Sequence, residues 1–233
     1  MDKLFGWERF FENIPKILPY LSVTFLIVIY ATVFGVLLAV FIVLTELKRI
    51  PVLYPFFKVY VSFMRGTPML VQLMLIYYGI PALIDPVLGT NINRGWSAVT
   101  FAYITFILNQ GAFLSAIFYG AITSVPYGQT EAGLSVGLTE LQTFRRILLP
   151  QMVRIALPPF GSDLVGLFQN SSLVFLIGVT DIMGRAKSIG AATKHVLEAY
   201  VFVVIIYIVI SLTIRLLFYY LNTKLEYGRE GLE

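Results

Sequence analysis

The 233 residues include no cysteine and a single histidine, His195. Without thiols there is no disulfide, no iron–sulfur ligation and no cysteine nucleophile, and one imidazole is too few for a histidine-rich metal centre. Charge is scarce too: Asp, Glu, Lys and Arg make up 13% of the chain, against about 25% in soluble proteins. What fills the space is hydrocarbon, with 58% hydrophobic residues and a mean hydropathy of +0.83. Such a chain is an integral membrane protein. The net charge of +4 is spread between apolar runs, so it reads as loop charge that orients the chain in the bilayer, with no nucleic acid implied.

The gaps between charged residues set the spans. Lys16 to Glu46 encloses 29 uncharged residues, Arg65 to Asp85 encloses 19 and Arg94 to Glu131 encloses 36, each about the 20 a bilayer helix needs or more. Two shorter gaps follow, 17 residues from Asp163 to Asp181 and 16 from Glu198 to Arg215. The fourth span is expected to start near Gln151 with Asp163 inside it. Its ten Leu, Ile, Val and Phe residues from 164 to 180 contribute roughly −3 to −6 kcal/mol to insertion, against roughly +3 for one central Asp. The fifth continues through Arg215, which snorkels, to about Asn222. The expectation is an all-α protein of five spans, about 17–45, 55–81, 96–123, 151–179 and 199–222, in one domain over 1–233. The first apolar run is too long for a cleaved leader and is read as a retained helix. The link 45–58 carries Lys48, Arg49 and Lys58, whereas 82–95 carries Arg94 alone; the positive-inside rule then puts the amino terminus outside and the carboxyl terminus in the cytoplasm.

The longest polar stretch is cytoplasmic in that topology: "EAGLSVGLTELQTFRRILLP", residues 131–150. Within 124–150, Ser124 is positioned to cap a short helix, Gly137 permits a sharp turn, and Thr139 with Gln142 has the spacing of a capping box for a second helix. Leu141, Phe144 and Leu148 form an apolar stripe, with Arg145 and Arg146 on the other face. Periodicity alone leaves two fates open for that stripe, the membrane surface or a partner protein.

Glu131, Ala132, Gly133, Gly137, Ile147, Leu149 and Pro150 fall at the spacings of the EAA signature, so this segment resembles the coupling loop of permease subunits of ATP-binding cassette importers. Gly133 stands where alanine is usual, which predicts a looser first helix by roughly 1 kcal/mol. The resemblance covers nearly the whole chain and narrows to the polar amino acid branch through "FMRGTPMLVQLMLIYYGIP" (63–81), "NQGAFLSAIFYGAITSVPYGQTEA" (109–132) and "RIALPPFGSDLVGLFQNSSLVFLIGV" (154–179). It implies a type I importer permease fold whose coupling helices, with Phe144 in the apolar stripe, dock on a separate ATPase subunit.

The same resemblance places Arg65, Gly66, Thr67, Pro68, Gln72, Asn109, Phe113, Ala116, Gln169, Asn170 and Ser171 beside the substrate pathway. Gly66 and Pro68 break a helix on physical grounds alone. Ala116 stands where many relatives have glutamate, and Gln169 with Asn170 where they have a Lys–Asp pair. Either the pocket is a coherent neutral version, suited to a species such as cystine or glutamine, or this subunit has none. Asp163 either hydrogen-bonds within the bundle or supplies a charge to the pocket. His195, Tyr77 and Tyr78 receive no site role, the tyrosines serving as interfacial anchors.

Three function classes compare as follows. A membrane enzyme lacks a catalytic constellation. A stand-alone channel or ion-coupled carrier needs its own coupling site, and five spans are few for inverted-repeat folds. An importer permease fits. No Gly-x-x-x-x-Gly-Lys-[Ser/Thr] loop occurs, so ATP and Mg belong to the partner ATPase dimer and this chain carries no cofactor. The implied partners are a second permease subunit, an extracellular substrate-binding protein, the amino acid and membrane lipid, working by alternating access.

Overall fold

The computed structural model describes residues 5–89 and 95–226, and all regular structure among them is helical. Arg94, one of the cations that orient the chain, lies outside the described residues. Five stretches are long and apolar enough to cross a membrane: Trp7–Leu47, Met69–Val87, Ala98–Thr123, Glu140–Ile177 and Leu197–Leu225. The expected span count stands, with instructive differences at the boundaries.

Helix α1 (Trp7–Ile17) joins α2 (Leu21–Leu47) through one 3₁₀ turn at Leu18–Tyr20. A tight turn with two cations, Lys48 and Arg49, follows, and Arg49 and Val52 adopt positive φ of 47° and 68° there. α3 (Leu53–Gly66) and α4 (Met69–Leu88) replace the continuous second span expected over 55–81. Thr67 and Pro68 between them are extended, with ψ of 146° and 139°. α4 runs on through Pro81 and Pro86 and ends at Gly89 in the left-handed region. α5 (Ala98–Thr123) is the central helix, followed by the short helices α6 (Gly128–Ser135) and α7 (Glu140–Thr143). After a π turn over Phe144–Leu148, α8 (Leu149–Asn170) leads into a 3₁₀ segment, Ser171–Ile177. α9 (Ile182–Thr193) and α10 (Leu197–Glu226) complete the chain.

Lipid is as apolar as leucine, so close fit rather than water exclusion holds membrane helices together. Gly35 and Gly111 let α2 and α5 approach: a Cβ on Gly35 would lie 2.8 Å from Gln110 Cβ, and one on Gly111 2.5 Å from Leu38 Cδ2. Around this contact Ile27, Ala31, Leu73, Phe101, Phe106 and Phe168 are fully buried. The large apolar side chains left open, Leu37, Val40 and Ile208 among them, need only lipid or a second subunit beside them.

Residues 5–16, which carry no motif, belong to a packed unit, and His195 sits in a short turn beside it. Phe10 and Ile17 of α1 pack on Ile182, Ala186 and Ile189 of α9 and on Phe202 of α10. Glu198, fully buried, accepts from Arg9 Nε and the Gly6 backbone amide through Oε1, both at 2.9 Å. Asp181, also fully buried, caps α9 by accepting from the Gly184 amide at 2.8 Å. His195 is half-buried in the turn between α9 and α10, its amide donating to Thr193 Oγ1 at 3.2 Å. The missed signal for α1 was the recurrence of Phe10, Ile14 and Ile17 at helical spacing.

Candidate functional site

The coupling segment forms as two short helices meeting at Gly137, whose φ of +84° is open to glycine at little cost. The capping box is present: Gln142 N–H donates to Thr139 Oγ1 at 3.3 Å and Thr139 N–H to Gln142 Oε1 at 3.0 Å. Ser124 does not cap α6. Its hydroxyl donates back to the Gly120 carbonyl at 2.7 Å, satisfying the end of α5, and α6 starts after Tyr127 with no side-chain cap. The regular spacing read for the second helix also changes, because the π turn widens it from Phe144 to Leu148. Leu141 and Phe144 nonetheless stay 74% and 43% exposed, with Arg145 and Arg146 exposed alongside and Leu148 half-buried.

Gly133 has a role that its missing methyl alone did not suggest. It is buried, and a Cβ there would lie 2.6 Å from Thr143 Cγ2, 2.8 Å from Thr143 Oγ1 and 3.1 Å from Ile147 Cδ1. The glycine lets α6 rest on α7, so the expected loosening is offset by closer packing. Glu131, Ala132 and Gly137, and at the other end Leu149 and Pro150, frame this contact, with Gln151 donating to the Ile147 carbonyl at 2.9 Å.

The second cluster surrounds the broken helix. Pro68 has no N–H, so the Met64 carbonyl loses the donor that a continuous helix would supply four residues later. Gln72 Nε2 replaces it, donating to Met64 O at 2.8 Å and reaching Thr67 O at 3.1 Å and Thr67 Oγ1 at 2.8 Å. Thr67 Oγ1 donates to Phe63 O at 2.8 Å. Asn109 of α5 donates to Gln72 Oε1 at 2.9 Å, tying the break to the central helix. Both amides are buried. Arg65 is exposed and stacks its guanidinium over Phe113, 5.9 Å from the ring centroid. Gly66 has nothing within 4 Å of an added Cβ and lines an open groove of about 620 Å³ with Lys58, Ser62 and Thr67.

The expected pathway residues are therefore of two kinds. Gln72, Asn109 and Ser171 are buried, and the Ser171 hydroxyl donates to the Phe168 carbonyl at 2.6 Å. Arg65, Gly66, Pro68, Gln169 and Asn170 are exposed, while Thr67, Phe113 and Ala116 are half-buried. Asp163 stays within the bundle and accepts a hydrogen bond from the buried Gln110 side chain. Of the tyrosines, Tyr78 is 63% exposed, whereas Tyr77 packs its ring edge on the core residue Phe101. Among the described residues no cluster of His, Cys, Asp or Glu could hold a metal ion.

Five helical spans, a broken helix braced from the central span and a glycine-hinged helix pair outside the bundle together define a membrane permease of the ATP-binding cassette importer type. The chain belongs to the family of binding-protein-dependent transport system inner membrane components, which matches it over residues 31–227. It is 36% identical over 211 residues to the L-cystine transport system permease protein TcyL of Bacillus subtilis, covering 91% of this chain and 87% of that one. With the glutamate/aspartate import permease protein GltK of Escherichia coli it shares 30% identity over 220 residues, 94% of this chain and 98% of the relative. Among solved structures, the crystal structure of an amino acid ABC transporter with histidines superposes with a TM-score of 0.82 at 28% identity, covering 94% and 99% of the two chains.

Proposed function

We propose that this permease imports a polar amino acid handed over by an extracellular substrate-binding protein, and that a separate ATPase drives it through residues 124–150. One observation carries the coupling half of the reading: Leu141, Phe144 and Val136 stand 74%, 43% and 77% exposed on a segment hinged at Gly137, beside two exposed arginines. An apolar patch so rimmed by charge marks a protein contact. The substrate half rests on relatives that carry cystine or acidic amino acids. A second permease subunit packs beside this one, the amino terminus lies outside, ATP and Mg stay on the ATPase, and the exposed Gln169, Asn170 and Arg65 face the pathway. Nothing favours a stand-alone channel or carrier.

The test is reconstitution of the chain with its ATPase and binding protein in vesicles. Uptake should require all three components and ATP. Gly137→Val places a β-branched residue at positive φ, so the variant should keep its membrane fold and lose ATP-dependent uptake. Wild-type uptake by the Gly137→Val complex, or uptake by the permease alone, refutes the reading.

A further inference from the structure

We propose that Arg215 binds the substrate carboxylate inside the span, in the groove between α8 and α10. Arg215 falls 18 residues after Leu197 and 11 before Glu226, about 27 Å and 17 Å along the axis at 1.5 Å per residue. Its side chain is exposed, and no hydrogen bond, ion pair or ring contact engages it among the described residues. The one carboxylate on α8, Asp163, is occupied by Gln110 on another side of that helix. A charge within a span persists where it faces water, a ligand or a partner.

The surroundings indicate which ligand. Arg215 lines a cavity of about 500 Å³ with Gln169, Ser172, Tyr207 and Ser211 set among apolar side chains. It also lines a second cavity of about 180 Å³ with Ser162 and Asn222. Arg215 is common to both openings, whose few polar groups stand against a mostly apolar wall. Gln169 Nε2 lies 3.5 Å from Ser211 Oγ, so the neutral groups sit one helical turn from Arg215 on α10. A guanidinium fork matches a carboxylate with two parallel hydrogen bonds, while hydroxyl and amide oxygens accept from an ammonium group. Cystine and glutamate or aspartate, the substrates of the relatives TcyL and GltK, share little beyond that amino-acid end. An arginine for the carboxylate thus recognises the class, and Gln169 with its neighbours is left to discriminate side chains.

This inference rests on the amino-acid import reading, and the experiment separates the two. The chain is free of cysteine, so Arg215→Cys is a single reporter in the complete transporter with its ATPase and binding protein. A water-soluble cationic thiosulfonate should label it, and the amino acid that most stimulates wild-type ATPase activity, chosen from the twenty standard ones and cystine, is the substrate for the uptake measurements. In uptake, Arg215→Gln should erase the preference for that amino acid over its α-amide and lower transport about tenfold or more, and Arg215→Lys should keep part of the preference, having charge without the fork. If only a lipid-soluble maleimide labels Arg215→Cys, the guanidinium is snorkelling to lipid headgroups and the proposal fails. An unchanged acid-to-amide preference in Arg215→Gln also overturns it. If no amino acid stimulates the wild-type complex, the import reading itself fails first.

Discussion

At the scale of single residues, two positions hold information that composition conceals. Gly133 reads in the sequence as a lost methyl, yet in the fold its hydrogen is what Thr143 and Ile147 pack against. Gly133→Ala, although it restores the usual residue, should cost about 1–3 kcal/mol by overpacking and reduce ATP-dependent uptake, and adding Thr143→Ala should return most of it. Steady-state uptake of the two single variants and the double variant checks this, and no recovery in the double variant contradicts the packing account. The other position is Asp181, whose burial pushes its carboxyl up to about 6, although the Gly184 amide acts the other way. The unfolded chain ionises near 3.8, so ionisation weakens the fold as pH rises from about 4 to 6, and above 6 the full penalty of about 3 kcal/mol is present. Asp181→Asn keeps the cap without the charge. Thermal unfolding in detergent should show the variant more stable than wild type at pH 7.5 and the gap closing at pH 4.

Among elements, the broken helix shows what a sequence can and cannot disclose. Gly66 and Pro68 announce the break, because proline withholds an N–H and restricts the residue before it. Which group replaces the missing donor is a tertiary fact: Gln72 lies four residues beyond Pro68, but its partner Asn109 lies on another span. The five spans were legible because apolar length is a one-dimensional property. α1 and α9 were not, since each is amphipathic and is held by residues far away in the chain. Glu198 looks like a loop charge until Arg9 is placed against it. The π turn was likewise hidden, for Phe144 to Leu148 carries no spacing different from an ordinary helix. Gln72→Ala should strip the Met64 and Thr67 carbonyls of their donor and lower stability by about 1–3 kcal/mol, read as thermal unfolding in detergent. Asn109→Ala should cost less, since the Gln72 donors remain in place. Equal stability of Gln72→Ala and wild type would show that the break needs no brace.

For the whole molecule, orientation is the testable property. Single cysteines at Lys48 and Arg145 should be shielded from an impermeant reagent added to intact cells and reached after permeabilisation, whereas one at Lys194 should react from outside; labelling of position 145 in intact cells reverses the topology. The same geometry governs how the chain is made. The carboxylate that secures α1 belongs to Glu198, 189 residues after Arg9, so during synthesis the first helix waits for the last span to leave the ribosome. Until then α1 lacks Glu198 and Phe202, and a chain stopped before that point has only α9 to cover its N-terminal aromatic face. The docking of α1 is sealed by α10, and a copy cut before Glu198 is altered at α1 as well as at the cut.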